Sequence, residues 1–194
     1  YMRHEKSYRI IFSSKDYDVL ISIRKCLGSN HNICSNKKDD SKELVIFSKK
    51  LFLKLLELGG KRCKSRTIIF PKIPSRFLPD FIRGYFDGDG SVFYTKDIHS
   101  KNKKLRTELR SNFTSGSIKF LEKLQNVLNN KLGLIKKKIG SYNNGGSRKL
   151  GYGTYDTLNL LNFMYYKNYP IGMERKARFL YSSKAKKFKK KLNY

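Results

Sequence analysis

The chain has 194 residues, and its 43 Lys plus Arg against 15 Asp plus Glu give a formal net charge of +28. That much like charge needs a polyanion to offset it at physiological salt, while 13 Tyr, 13 Phe and 39% hydrophobic residues exclude a disordered basic tail. No apolar run reaches the ~18 residues of a membrane span, and the lysines are spread through strand-like and helical segments alike, which suits a nucleic-acid saddle better than one lipid-facing helix.

In chain order, YRIIFSSKDYDVLISIRKCLG (8–28) reads as a strand with Tyr8, Ile10 and Phe12 on one face, then Ser13-Ser14 as a cap. A helix over 15–27 follows, with Val19, Leu20, Ile23 and Leu27 inward and Gly28 as its stop. Cys26, Cys34 and Cys63 are odd in number and widely spaced, which points to free thiols in an intracellular, reducing compartment. Cys26, His31 and Cys34 offer too few donors for a metal site. A strand and a helix over 49–58 come next; its apolar run LFLKLLEL is broken by Lys54 and Glu57 and reads as amphipathic. After the basic segment 59–70, Pro71, Pro74 and Pro79 stiffen a connector.

The connector leads into FLPDFIRGYFDGDGSVFY (77–94). Phe81, Ile82, Tyr85 and Phe86 recur at the spacing of a buried helix face, and Pro79 and Asp80 suit its first turn. Gly84 and Gly88 are four apart, so they share a face against which a second backbone can pack closely. Asp89 falls where the helix runs out and projects beyond it. Residues 90–114 read as a long hairpin with a polar tip at His99 to Lys104, and 130–154 as a second with its tip at Asn143 to Gly146. Between them lies a helix over 117–130 with Ile118, Leu121, Leu124 and Leu128 inward; another covers 156–165.

The segments 8–28 and 109–133 repeat the same strand, hydroxyl cap and helix, with Ser14 and Ser115 about 101 residues apart. A further strand, helix and basic segment close each copy, which sets Lys64 opposite Lys176. The expected architecture is α+β: two pseudo-twofold-related half-domains of curved antiparallel sheet and helices. The first half spans 1–70, the second 71–182 with its leading helix at 77–90, and 183–194 is a basic tail.

The run Gly84-Tyr85-Phe86-Asp87-Gly88-Asp89-Gly90 resembles the signature of the LAGLIDADG family, mostly homing endonucleases and intron maturases. Gly84 stands at the family's first glycine, Asp87 at its first acid, Gly88 at its small residue, Asp89 at its second acid and Gly90 at its last glycine. The resemblance implies that Asp89, with the neighbouring Gly88 carbonyl, binds a divalent metal such as Mg²⁺ that cuts DNA. It also implies that Gly84 and Gly88 pack against a second signature helix, and that the hairpins lie in the DNA major groove, which admits a two-stranded ribbon. Candidate contacts are Lys101, Lys103, Lys104, Arg106 and Arg110 on the first ribbon, with Lys136, Lys138, Tyr142, Arg148 and Lys149 on the second. Lys176 and Lys64 are the candidates, by position in the repeat, for a basic group that steadies charge on the reacting phosphate or polarises the attacking water.

One departure matters. Two-copy members of the family carry a signature helix at the head of each half, whereas here the repeat offset sets Tyr1 opposite Asn102, part-way through a leading hairpin. The first helix and its acid are therefore expected from an upstream segment or another chain. Hydrolysis with two metals about 4 Å apart needs carboxylates on both sides of the phosphate. Two readings follow. One is a metal-dependent, site-specific double-stranded DNA endonuclease of the homing type. The other is a non-catalytic RNA-binding descendant, a maturase or a component of a large ribonucleoprotein. The Lys-, Asn-, Ile- and Tyr-rich composition suits an AT-rich genome such as that of a mitochondrion or plastid.

Overall fold

The computed structural model describes residues 2–3, 8–36, 39–60, 66–98, 105–142 and 146–190. They fall into two compact units, Tyr1–Lys64 with Asn168–Met173, and Ser65–Lys167 with Glu174–Tyr194. The fold is α+β, as its alternating segments require.

In the first unit, β1 (Met2–Arg3), β2 (Arg9–Ser14), β3 (Ile33–Ser35) and β4 (Lys42–Phe47) form an antiparallel sheet in the order β1-β2-β4-β3. Helix α1 (Tyr17–Cys26) follows β2, and α2 (Lys49–Glu57) follows β4. Val19 and Leu20 of α1 pack on Leu44 and Ile46 of β4, with Phe12, Ile23, Ile33, Leu51, Ile171 and Met173 around them. Leu27, expected inward, is exposed, because α1 ends one residue earlier and the chain leaves through Gly28 at φ +58.

In the second unit, a 3-10 turn (Ser75–Phe77) feeds α3 (Leu78–Asp89), which runs directly into β5 (Gly90–Ile98). Then come β6 (Leu105–Ser115), α4 (Ile118–Leu132), β7 (Gly140–Tyr142), β8 (Ser147–Tyr152) and α5 (Thr154–Met164). The sheet order is β5-β6-β8-β7, the same as in the first unit. The passage from strand to helix repeats as well. The Ser14 hydroxyl accepts from the Asp16 amide at 3.0 Å, and the Ser115 hydroxyl accepts from the Ser117 amide at 3.1 Å. The cap of α4 is thus Ser117, two residues later than the strand's end suggests, and its hydroxyl accepts from the Phe120 amide. Because α4 begins at Ile118, that side chain stays exposed and Phe120 joins Leu121, Leu124 and Leu128 on the buried face.

Strand alternation sorts the second sheet into two faces. Leu109, Ser111 and Phe113 of β6, with Leu150 and Tyr152 of β8, are buried under the helices. The Ser111 hydroxyl meets that of Thr157 on α5 at 2.9 Å. Glu108, Arg110, Asn112 and Thr114 alternate with them and point the other way.

Residues 183–190 of the basic tail form a helix. After α6 (Glu174–Tyr181), the Ser182 hydroxyl accepts from the Ala185 amide and so caps α7 (Ser183–Lys190). Ser182 also meets the Tyr94 hydroxyl at 2.6 Å, and Ala185 is fully buried, while Lys186, Lys187 and Lys190 are exposed.

Replacing Ser117 with Ala removes the α4 cap acceptor from a buried position. It is expected to cost about 1 kcal/mol of unfolding free energy, read as a lower denaturant midpoint at unchanged slope.

Candidate active site and nucleic-acid interface

The acidic end of α3 is held from several sides within the second unit. At its start, the buried Arg83 guanidinium donates to the Met164 carbonyl at 2.8 Å and to an Asp80 carboxylate oxygen at 2.7 Å. The same Asp80 oxygen accepts from the Tyr166 hydroxyl. Half-way along, the Tyr85 hydroxyl donates to the Thr114 carbonyl on β6 at 2.7 Å. Burial pushes Tyr85 up to about 12, with the Asp89 charge adding to the rise. That tyrosine therefore stays protonated, and keeps donating, through any physiological pH. Phe86 is fully buried and meets Phe113 edge-on at 5.2 Å.

At the C-terminus, the Lys176 ammonium from α6 donates to the carbonyls of Phe86 at 2.6 Å, Asp87 at 2.8 Å and Gly90 at 2.7 Å. A cation at a helix C-terminus meets the negative end of the dipole and the carbonyls that have no partner further along the helix. Lys176 is 3% exposed. Its ammonium, expected to steady charge on the phosphate or polarise the attacking water, is enclosed here by the backbone of the helix end, where it fixes the turn that carries Asp89.

The two acids of the motif separate cleanly. Asp87 is 7% exposed and accepts from the buried Tyr165 hydroxyl. Asp89, two residues on, is exposed. Gly90 is required by space, since a Cβ there would stand 2.3 Å from Phe86 Cδ2 and 2.6 Å from the Phe86 carbonyl oxygen. Gly84 and Gly88 are exposed, and a Cβ at either would meet no described atom within 4 Å. An exposed carboxylate beside the Gly88 carbonyl, which is not among the three that Lys176 takes, suits a hard cation that accepts oxygen ligands and retains water. Among the described residues no group of three or more His, Cys, Asp or Glu comes together.

The outer face of the second sheet collects part of the expected basic set. Arg110 lies on it, 45% exposed, held by Glu108, whose Oε2 accepts from Arg110 Nη2 at 3.0 Å and Nε at 3.3 Å. Lys149 shares the face through its register with Thr114, and Arg106 pairs with Asp97 in the backbone ladder. Tyr142 pairs with Ser147 at the β7 edge. Arg148 does not join them. It belongs to the alternate set with Leu150 and Tyr152, and donates to the Ser141 hydroxyl at 2.7 Å. Lys136 and Lys138 are exposed but lie in the irregular segment 133–139 ahead of β7, not on a ribbon. Lys64, Lys101, Lys103 and Lys104 lie outside the described residues. Glu108, Asn112 and Gly151 share this face, as alternation along β6 and β8 requires.

A family model described as a LAGLIDADG-like domain matches residues 77–193, more than half of the chain. The chain belongs to the LAGLIDADG family. Its fold is shared with solved homing endonucleases of that family. I-LtrWI bound to target DNA superimposes with a TM-score of 0.60 at 15% identity, covering 95% of this chain and 79% of that one. I-SmaMI bound to uncleaved target DNA with calcium ions gives 0.59 at 15% identity, covering 95% and 81%. I-SmaMI bound to cleaved DNA gives 0.57 at 16% identity, covering 89% and 75%. No curated protein sequence matches the chain. Among the described residues no helix of this LAGLIDADG protein is long and apolar enough to cross a membrane.

Replacing Lys176 with Met leaves buried carbonyls without their charged donor. The expected cost is about 3 kcal/mol, together with loss of protection of the β5 amides in hydrogen exchange. Replacing exposed Lys186 in the same way is expected to change stability by less than about 0.5 kcal/mol.

Proposed function

We propose that this LAGLIDADG chain is a site-specific double-stranded DNA endonuclease of the homing type, hydrolysing phosphodiesters with a divalent metal. The observation that carries the reading is the division between the two motif acids. Asp87 is turned inward onto Tyr165, while Asp89 is delivered exposed at the end of a helix clamped by Arg83, Tyr85 and Lys176. An enzyme needs such a carboxylate held in place before the reaction, because positioning contributes most when no reorganisation is left to do.

In this reading Asp89 and the Gly88 carbonyl would hold Mg²⁺, which when bound would supply activation of water and neutralisation of charge on the phosphate. Lys176 and, by its place in the repeat, Lys64 support the site. In the second half Lys176 does so by fixing the backbone on either side of Asp89. Arg110, Lys149, Lys136 and Lys138 supply positive charge for the duplex, with Arg106, Tyr142, Lys101, Lys103 and Lys104 completing the surface, while Arg148, on the other face of the sheet, takes no part. The exposed Gly84 and Gly88 face receives a second signature helix, from an upstream segment or another chain, and with it the second acid. An organellar setting agrees with the composition.

The second reading is an RNA-binding descendant with a silent site, and the observation that favours it is the charge of +28, which suits a large RNA as well as a duplex.

The test is Mg²⁺-dependent nicking of duplex DNA containing a site selected by the chain, with and without a segment carrying a second signature helix. Asp89→Asn is expected to abolish cleavage and leave binding within about twofold, since it removes a charged ligand at nearly constant size. Gly84→Leu is expected to keep or slightly raise thermal stability, because helix propensity improves by up to about 1 kcal/mol and the face is open. It should nevertheless block complementation by the second helix. Duplex affinity should fall by about 10³–10⁵ between 50 and 200 mM salt if six to ten phosphates are contacted. Cleavage by the Asp89→Asn protein would overturn the role of that acid. Tight binding to structured RNA with no nicking in any combination would establish the second reading instead.

A further inference from the structure

The chain leaves the second unit at Asn168, spends residues 168–173 in the first, and returns at Glu174. Within that excursion Ile171 and Met173 pack against Val19, Leu20, Leu44 and Ile46, a core whose other members all precede residue 52. The excursion is stiff for its length. Asn168 stands at φ +62, in the left-handed region that asparagine tolerates better than most side chains. Pro170 fixes its own φ and biases Tyr169 toward extended backbone. A segment so restricted passes displacement on, where a flexible one would absorb it.

The residues on either side of the excursion hold the signature helix. Just before it, the Tyr165 hydroxyl donates to Asp87 and the Tyr166 hydroxyl to Asp80. Just after it, the Lys176 ammonium donates to the carbonyls of Phe86, Asp87 and Gly90. All of these partners belong to α3 or to the strand it becomes. The stretch 165–176 therefore grips α3 near both ends and, in between, completes the core of the first unit. Met173 and Lys176 are three residues apart, a reach of at most ~11 Å even when fully extended. Little slack separates the apolar anchor from the clamp.

We propose that Ile171 and Met173 are positioning residues for the end of α3. Seated in the core of the first unit, they hold the strap 168–173, and the strap sets Lys176 against the carbonyls that fix the turn beside Asp89. Loss of that seat frees the strap, lets Asn168 relax and loosens the Lys176 clamp. The first unit thus reports its folded state to the acid carried by the second. The inference goes beyond the nuclease reading and does not depend on it, because its readout is backbone protection and not cleavage.

The experiment is amide hydrogen exchange on the full chain, read at the Gly90 amide, which donates to the Phe86 carbonyl. The amides of β4 report on the first unit and those of α4 on the remainder of the second. Ile46→Val removes one methylene from the core of the first unit. It is expected to speed exchange in β4 and at Gly90 by about 2- to 10-fold, while α4 keeps its protection. Met173→Ala should act in the same direction and more strongly. Met173→Leu, which conserves apolar volume, should leave Gly90 protected as in the unaltered chain. A flexible Gly-Ser-Gly-Gly insert between Met173 and Glu174 should break the link, so that Ile46→Val in the inserted chain loosens β4 and leaves Gly90 unchanged. Leu44→Ala, a larger loss in the same core, is read in the same way where Ile46→Val leaves β4 unmoved. Loosening of β4 with no response at Gly90 in the chain without the insert would overturn the proposal. So would a Gly90 response that survives the insert, since the coupling would then run by another route. Equal loss of protection in α4 would mark unfolding of the whole chain and would overturn the strap as well.

Discussion

Three short hydrogen bonds from one buried ammonium decide where the acidic helix stops. A helix C-terminus leaves carbonyls without intrahelical partners; at the end of α3 the Asp87 carbonyl, that of Phe86, which also accepts from the Gly90 amide, and the Gly90 carbonyl of the following strand converge on Lys176. The chain can then turn from helix to strand with no loop between. That turn requires glycine at position 90, where the Phe86 ring and carbonyl leave no space for a Cβ. Everything else near the site inherits its position from this junction. Asp87 is carried inward to Tyr165 and Asp89 outward, and β5 leaves in register with β6.

Desolvating an ammonium is costly unless its donors are satisfied. Three carbonyls satisfy Lys176 while the Phe86 ring lies 5.1 Å beneath it. The same residue therefore serves stability and the proposed chemistry together, by a single geometric means. In the proposed reaction a group so enclosed would act through the backbone it holds. This separates it from the exposed arginine and lysines of the sheet, which meet a partner directly or not at all.

The sheet sorts its charges by alternation, not by abundance. The chain is so basic that almost any segment offers a lysine, yet only those on the face opposite the helices can share a surface. Arg110 and Lys149 meet that condition, and Arg148, their neighbour in sequence, does not. Glu108 accepts from Arg110 on that same face, an acid beside the base.

The sequence by itself determined a good deal, and for a physical reason. The glycines and acids of 84–90 and the apolar spacing before them are local features, so the signature helix, the family resemblance and the outward carboxylate at Asp89 were legible without coordinates. So was the internal repeat, because the same strand and helix periods recur; both sheets indeed share one strand order. Long-range partnership was left to the tertiary structure. Lys176 finds its carbonyls 86 to 90 residues away, and Tyr165 reaches Asp87 across 78. No local period encodes such pairs. The basic tail likewise became α7 only because Ser182 caps it and Ala185 finds a buried site among the helices. Composition announces charge and periodicity announces helices and strands, but which charged group is buried as a clamp and which is left at the surface depends on packing between distant parts of the chain.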